Sequence, residues 1–165
     1  MSNKLAPEEA LGGPLYLVAA LLVAIPFIDF LLSIPPAEFG NVQWRFSAVG
    51  LLSGYTLLPI VGCALAFVVS SVLKHYGLQR ILVLFCLTMG VVLITLSLGF
   101  LLDVAQVRMT VATGDRAAFS SAWNRALIKH VLGGAALIYM GWRARRMIPA
   151  RVKQRGPKPV HVISK

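Results

Sequence analysis

The chain has 165 residues, of which 58% are hydrophobic and only 13% are charged, and its net charge is +10. A soluble domain usually carries about 25% charged residues, so this composition excludes an ordinary soluble protein. Four segments with few or no charges each have roughly the 20 residues that an α-helix needs to cross a bilayer. The sequence therefore predicts an all-α integral membrane protein, a four-helix bundle with kinked helices 1 and 2 and a long helical hairpin formed by helices 3 and 4.

Span 1 is predicted at residues 15–34, after a short polar tail at residues 1–13. Pro26 cannot donate its backbone hydrogen bond, so it should kink this helix. Asp29 lies about one turn from the outer end of the span. A carboxylate at the edge of a bilayer tends to pair with a cation, and we expect Arg45 to be its partner.

Span 2 is predicted at residues 47–73, with a second kink at Pro59. Small residues recur along this span at multiples of four, which lets two helix backbones approach closely. Such a stripe serves packing within the chain or an interface with another subunit, and span 4 carries a similar cluster. The candidate helix-packing residues are Gly50, Gly54, Gly62, Gly133 and Gly134.

Spans 3 and 4 are predicted at residues 81–102 and 126–142, joined by an outer hairpin tip at residues 103–125. No helix breaker precedes Gly114, so we expect helix 3 to continue beyond the bilayer as far as that glycine. The other interpretation is a break near Asp103 followed by an interfacial helix at residues 116–125. Both interpretations give a long antiparallel hairpin that stands out of the membrane.

In a hairpin that turns at Gly114, residues at equal distances from the turn face each other. Asp103 is eleven residues before Gly114 and Arg125 is eleven after it, with Lys129 one helical turn further on. A lone carboxylate at the edge of a span is costly to bury, and a charge-assisted pair removes most of that cost. We therefore predict that Asp103 forms a clamp with Arg125 or Lys129.

The polar residues of the hairpin also suggest functional roles. Asp103, His130 and Asp29 could form a proton or ion relay, and Arg108 and His130 are candidate functional polar residues. His130 is the only histidine near the membrane interior, whereas a haem with two histidine ligands needs a second one. Together with the absence of metal-ligand spacing, this predicts no cofactor and no metal site.

Two cysteines, Cys63 and Cys86, lie inside apolar spans without a metal-binding or redox motif. We interpret them as small buried hydrophobic residues.

Basic residues are concentrated at the carboxyl end, where eight of the 16 lysines and arginines lie in the last 23 residues. Basic residues flank spans on the cytoplasmic side, so both termini are predicted to be cytoplasmic, in a bacterial-type inner membrane. Residues 149–165 have the composition of a disordered basic tail. Contact with anionic lipid headgroups is expected just before it, at Arg143, Arg145 and Arg146.

The sequence contains none of the catalytic motifs of hydrolases, metalloproteases or phosphate-binding enzymes. It therefore favours a non-enzymatic accessory, assembly or scaffolding subunit that contacts membrane lipids and other membrane proteins, and no nucleic acid. A second hypothesis is a small proton-coupled transporter or channel acting as a homo-oligomer. A third is an enzyme that modifies a lipid or quinone at the outer interface, using Asp103, Arg108 and His130.

Overall fold

The computed structural model of the chain describes residues 7–34 and 36–148. Within these ranges it is all-α, with five α-helices and one short 3-10 turn and no strand. The predicted all-α class is therefore confirmed for this part of the chain, and the predicted basic tail lies outside it. The elements are α1 (Pro7–Ser33), α2 (Val42–Tyr55), α3 (Leu57–Val72), α4 (Tyr76–Val107), the 3-10 turn (Thr113–Asp115) and α5 (Arg116–Met147).

Two helices of the described residues are long and apolar enough to cross a membrane, and a bent pair makes a third candidate. The two are Leu11–Ser33, which is most of α1, and Tyr76–Val107, which is α4. The bent pair is α2 with α3. The predicted fourth span at 126–142 is not among the candidates, because Lys129, His130 and Arg143 leave too short an apolar stretch in α5.

The helix predicted as span 2 is broken in two, with α2 and α3 inclined by 43° to each other. The break lies at Thr56, three residues before Pro59. Proline lacks an N–H donor and its ring clashes with the carbonyl one turn earlier, which here belongs to Tyr55. Helix α1 continues through Pro26 without interruption, so its kink stays a prediction.

Helices α4 and α5 form a long antiparallel hairpin in which the two backbones nearly touch. A Cβ atom on Gly90 would lie 2.9 Å from the carbonyl oxygen of Gly134, and one on Gly134 would lie 3.0 Å from the carbonyl oxygen of Gly90. Nearer the start of α4, a Cβ on Gly141 would lie 2.9 Å from the Leu87 side chain. Only glycine permits this approach, so the sequence of the hairpin determines how closely its helices pack.

Helix α4 passes Asp103 but ends at Val107, six residues before the expected end of the helix near Thr113. The Thr110 side-chain hydroxyl donates a hydrogen bond to the Val107 carbonyl oxygen at 2.8 Å. Such a local bond offers the backbone an alternative to continuing the helix. Asp115 then occupies the N-cap position of α5 without a side-chain capping bond.

Helix α1 packs on α3, where a Cβ on Gly62 would lie 2.8 Å from the carbonyl oxygen of Ala19. Helix α3 also packs on α4, and there the side chains of Cys63 and Cys86 meet in the main hydrophobic core. Neither cysteine belongs to a disulfide. Helix α3 therefore joins α1 to the hairpin.

Replacement of Gly90 by leucine should destabilise the hairpin, because the added side chain must push α5 away from α4. Overpacking of this kind usually costs about 1–3 kcal/mol. The free energy of unfolding of the purified protein in mild detergent measures the effect. Gly99→Leu is the matched control on the same helix, because a Cβ there has nothing within 4 Å. Equal stability of the two variants would contradict the close packing of α4 on α5.

Candidate functional site

A charged pair is formed by Arg45, near the start of α2, and Asp103, near the end of α4. Arg45 donates from Nη2 to one carboxylate oxygen at 2.8 Å and from Nε to both oxygens at 3.2 and 3.3 Å. It also donates from Nη1 to the Phe39 carbonyl oxygen at 2.9 Å. Asp103 is buried, with 6% of the residue exposed, whereas the Arg45 side chain is 37% exposed. The pair is therefore a charge-assisted link between two helices at a half-open rim.

Local sequence explains why Arg45 reaches this position. The Asn41 side-chain oxygen caps α2 by accepting hydrogen bonds from the backbone N–H groups of Gln43 and Trp44 at 2.9 and 3.3 Å. Asparagine is among the preferred N-cap residues, and it fixes where the helix starts. Arg45 then lies one turn into the helix, on the side that faces α4.

An aromatic stack supports the same end of the molecule. The Phe46 ring packs against the Phe100 ring of α4 with centroids 5.1 Å apart, and against the Phe119 ring of α5 with centroids 5.2 Å apart. Phe100 is almost fully buried, with 1% exposed. Phe46 therefore joins α2 to both arms of the hairpin beside the charged pair.

Asp103 bonds to Arg45, rather than to Arg125 or Lys129 as the spacing from Gly114 predicted. Equal distance from Gly114 does not give the register of the hairpin, because Gly90, 24 residues before Gly114, packs against Gly134, only 20 residues after it. It also does not give the rotation of α5 about its axis. The buried face of α5 carries Ala126 and His130, so both expected partners lie beside that face and are exposed.

The expected pair of Asp29 and Arg45 is not formed. Asp29 is exposed on α1 and makes no ion pair with the described residues. Arg45 is instead engaged by Asp103, because the capped start of α2 turns it towards α4. Arg108 is exposed at the C-cap of α4, outside the charged pair.

His130 lies fully buried on the face of α5 that packs against α4. Its Nδ1 donates a hydrogen bond to the Ala126 carbonyl oxygen, 2.8 Å away and one turn earlier on the same helix. Its Nε2 has no hydrogen-bond partner among the described residues. The histidine thus acts as a packed residue of the hairpin, with one unused acceptor.

The charged pair forms the mouth of a lateral cleft of about 550 Å³. Beneath it lies an almost wholly apolar chamber of about 400 Å³, and Phe30, Leu52 and Leu96 line both spaces. The chamber lies between α1 on one side and α4 on the other, with the break between α2 and α3 as its floor. The two spaces together run from a polar rim to an apolar interior.

The remaining predicted site residues lie away from this cleft. Gly62, Gly133 and Gly134 are buried where helices approach closely, whereas Gly50 and Gly54 have nothing within 4 Å of a Cβ atom. Three arginines at the C-terminal end of α5 are exposed, and one of them stacks over the Trp142 ring at 3.7 Å. They are Arg143, Arg145 and Arg146, the last being the one that stacks.

Sequence reasoning missed the Arg45–Asp103 pair and the packing glycine Gly90. A signal for the pair was present, because the predicted topology put both charges at the outer ends of adjacent spans. A signal for Gly90 was present as well, because it lies on the same face of α4 as the buried Cys86, Leu93 and Ser97. Comparison with family models, curated proteins and solved structures finds no match for this chain.

Substitution of Asp103 by asparagine should lower the thermal unfolding midpoint by a few degrees, because Arg45 loses its charged acceptor while the amide stays buried. This is the scale expected for the loss of one charge-assisted pair in a chain of this size. Arg125→Gln and Lys129→Gln serve as controls and should leave the midpoint unchanged. If the Arg125 or Lys129 variant lost as much stability as Asp103→Asn, the clamp predicted from the sequence would be supported. That result would contradict the pairing of Asp103 with Arg45.

Proposed function

We propose that this chain is a non-enzymatic accessory or assembly subunit of a larger membrane complex, with a multi-pass topology in the cytoplasmic membrane. The supporting observation is the face of α2 around Gly50 and Gly54, where a Cβ atom on either glycine has nothing within 4 Å. At glycines that pack inside the chain, such as Gly62 and Gly134, atoms of a neighbouring helix already occupy the space that a Cβ would need. Two glycines one turn apart without a neighbour suit a helix from another subunit.

The proposal includes α5 as a fourth span alongside the three candidates. Helix α5 packs against α4 over most of its length, so it enters the bilayer wherever α4 does. Between Lys129 and Arg143 its exposed side chains are apolar, as lipid contact requires. They are Val131, Leu132, Ala135, Tyr139 and Trp142.

Four spans place both termini on the same side of the membrane. With that side cytoplasmic, eleven of the 16 lysines and arginines are inside, including the eight at the carboxyl end. This bias supports cytoplasmic termini. The exposed Arg143, Arg145 and Arg146 would then contact anionic headgroups of the inner leaflet.

Transport through a polar path is less well supported than packing. The three proposed relay groups are not brought together: Asp29 is exposed on α1, His130 is buried on α5, and Asp103 is paired with Arg45. The buried Thr56 and Ser97 hydroxyls each donate a hydrogen bond to the carbonyl oxygen four residues earlier in the chain, at 2.9 and 2.7 Å. These bonds satisfy the hydroxyls locally, as in helices that pack rather than conduct.

The four-span topology can be tested with single cysteines introduced at Thr113 and Met147. If α5 crosses the bilayer, a membrane-impermeant maleimide should label Thr113→Cys in intact cells and label Met147→Cys only after permeabilisation. The native Cys63 and Cys86 are buried, so the parent protein provides the background. Labelling of both positions from the same side would show that α5 does not cross and would overturn this part of the proposal.

The accessory role can be tested by a pull-down of the tagged chain from native membranes in mild detergent. We expect larger membrane subunits at a fixed ratio, and we expect Gly50→Leu with Gly54→Leu to reduce their recovery at least tenfold. The double substitution should leave the fold intact, because both sites are open. Gly13→Leu, at an equally open position on α1, is the matched control. A homogeneous oligomer of this chain alone would overturn the proposal and favour the transporter hypothesis.

A further inference from the structure

Helices α1 and α4 stand apart along their whole length. No Cα atom of α1 lies within 8 Å of one in α4, although both pack against α3. The gap between them is the apolar chamber of about 400 Å³, with Val23, Ala24 and Phe27 on the α1 side and Met89 and Val92 on the α4 side. A bilayer has no water to fill such a space, so an apolar occupant must fill it.

The depth of the cleft matches the profile of a lipid leaflet. With a rise of 1.5 Å per residue, the chamber wall from Phe85 to Leu96 lies roughly 13–30 Å from the start of α4 at Tyr76. Asp103, at the mouth, lies roughly 40 Å from the same point. Because the hydrocarbon core is about 30 Å thick, the chamber falls within it and the mouth falls in the headgroup region.

The lining of the chamber favours a hydrocarbon tail. The space is almost wholly apolar, and a flexible tail can follow its irregular walls. A helix of another subunit is the other occupant, and the experiment below distinguishes the two because only a lipid would be retained on the purified chain.

The mouth favours an uncharged headgroup that accepts hydrogen bonds. Asp103 neutralises Arg45, so the rim has little net attraction for an anionic phosphate. The guanidinium has five N–H groups, and its bonds to Asp103 and Phe39 leave one N–H on each terminal nitrogen. Gln106, exposed at the mouth, adds a side-chain amide. These donors suit a carbonyl oxygen.

We infer that the cleft binds an uncharged membrane lipid, with a carbonyl-bearing headgroup at Arg45 and Gln106 and a hydrocarbon tail in the chamber between α1 and α4. The cleft volumes of about 550 and 400 Å³ are in the usual range of about 300–1,000 Å³ for small-molecule sites. The inference is independent of the accessory role, because it depends only on the geometry of this chain.

The experiment measures the lipids that remain on the full-length protein purified in mild detergent. Extraction and mass spectrometry should find one class of uncharged lipid at close to one molecule per chain, enriched at least tenfold over its share of the membrane. The mass identifies whether the source is an isoprenoid quinone or an acylglycerol. A retained anionic phospholipid, or lipids in the proportions of the bulk membrane, would overturn the inference.

Two variants locate the lipid. Ala24→Trp fills the chamber from an exposed position on α1 and should reduce the retained lipid at least tenfold. Ala20→Trp is its control, one turn earlier on the same helix, exposed and outside both spaces; it should retain the lipid. Retention by both variants, or loss by both, would contradict the chamber as the binding place.

A third variant separates headgroup recognition from folding. Gln106→Leu removes the exposed amide at the mouth without touching the core, so it should weaken binding several-fold while the unfolding midpoint without lipid stays the same. Rebinding to delipidated protein is followed as the rise in unfolding midpoint with added short-tailed benzoquinone, dioleoylglycerol or phosphatidylglycerol. Equal rises with all three, or an unchanged response of Gln106→Leu, would contradict recognition of an uncharged carbonyl headgroup.

Discussion

The close approach of α4 to α5 at Gly90 and Gly134 is the constraint on which the rest of the structure depends. In a bilayer the lipid tails are as apolar as leucine, so burial of apolar side chains gives little force for helix association. Close packing of backbones and a few polar contacts must hold the helices instead. The glycines supply the packing, and they also fix which face of α5 turns inwards. That rotation buries His130 and leaves Arg125 and Lys129 outside.

The Arg45–Asp103 pair links the start of α2 to the end of α4 in a bundle whose packing the glycines determine. The Arg45 side chain is 37% exposed, so its charge stays partly solvated although Asp103 is buried. This exposure lowers the desolvation cost that would fall on an ion pair at the bilayer centre. The 43° bend at Thr56 makes the link possible, because it lets α2 lean towards the hairpin while α3 stays against α1.

Much of the fold follows from sequence patterns, since hydropathy and helix breakers act locally. The all-α class, the long hairpin and the break near Pro59 all come from apolar run length and proline chemistry. The partners of the charged residues do not, because they depend on helix rotation and tilt. Sequence spacing offered Asp103 three candidate cations, and the cap at Asn41 and the packed face of α5 select Arg45. The number of spans follows from the sequence only in part. Lys129 and His130 interrupt the apolar sequence of α5, so this helix alone has too short an apolar stretch to be a candidate span.

The same bend that brings Arg45 to Asp103 also produces the open cleft. Helix α1 packs against α3, whereas α2 packs against α4. Helix α1 therefore does not reach the hairpin, and a gap remains between α1 and α4. Left empty, the gap would deprive its apolar lining of contacts that packed atoms normally have. Occupation by hydrocarbon is therefore a packing requirement of the fold rather than an addition to it. The sequence adds selectivity at the rim, where the neutralised guanidinium of Arg45 and the amide of Gln106 distinguish headgroups by their hydrogen bonds and not by their charge.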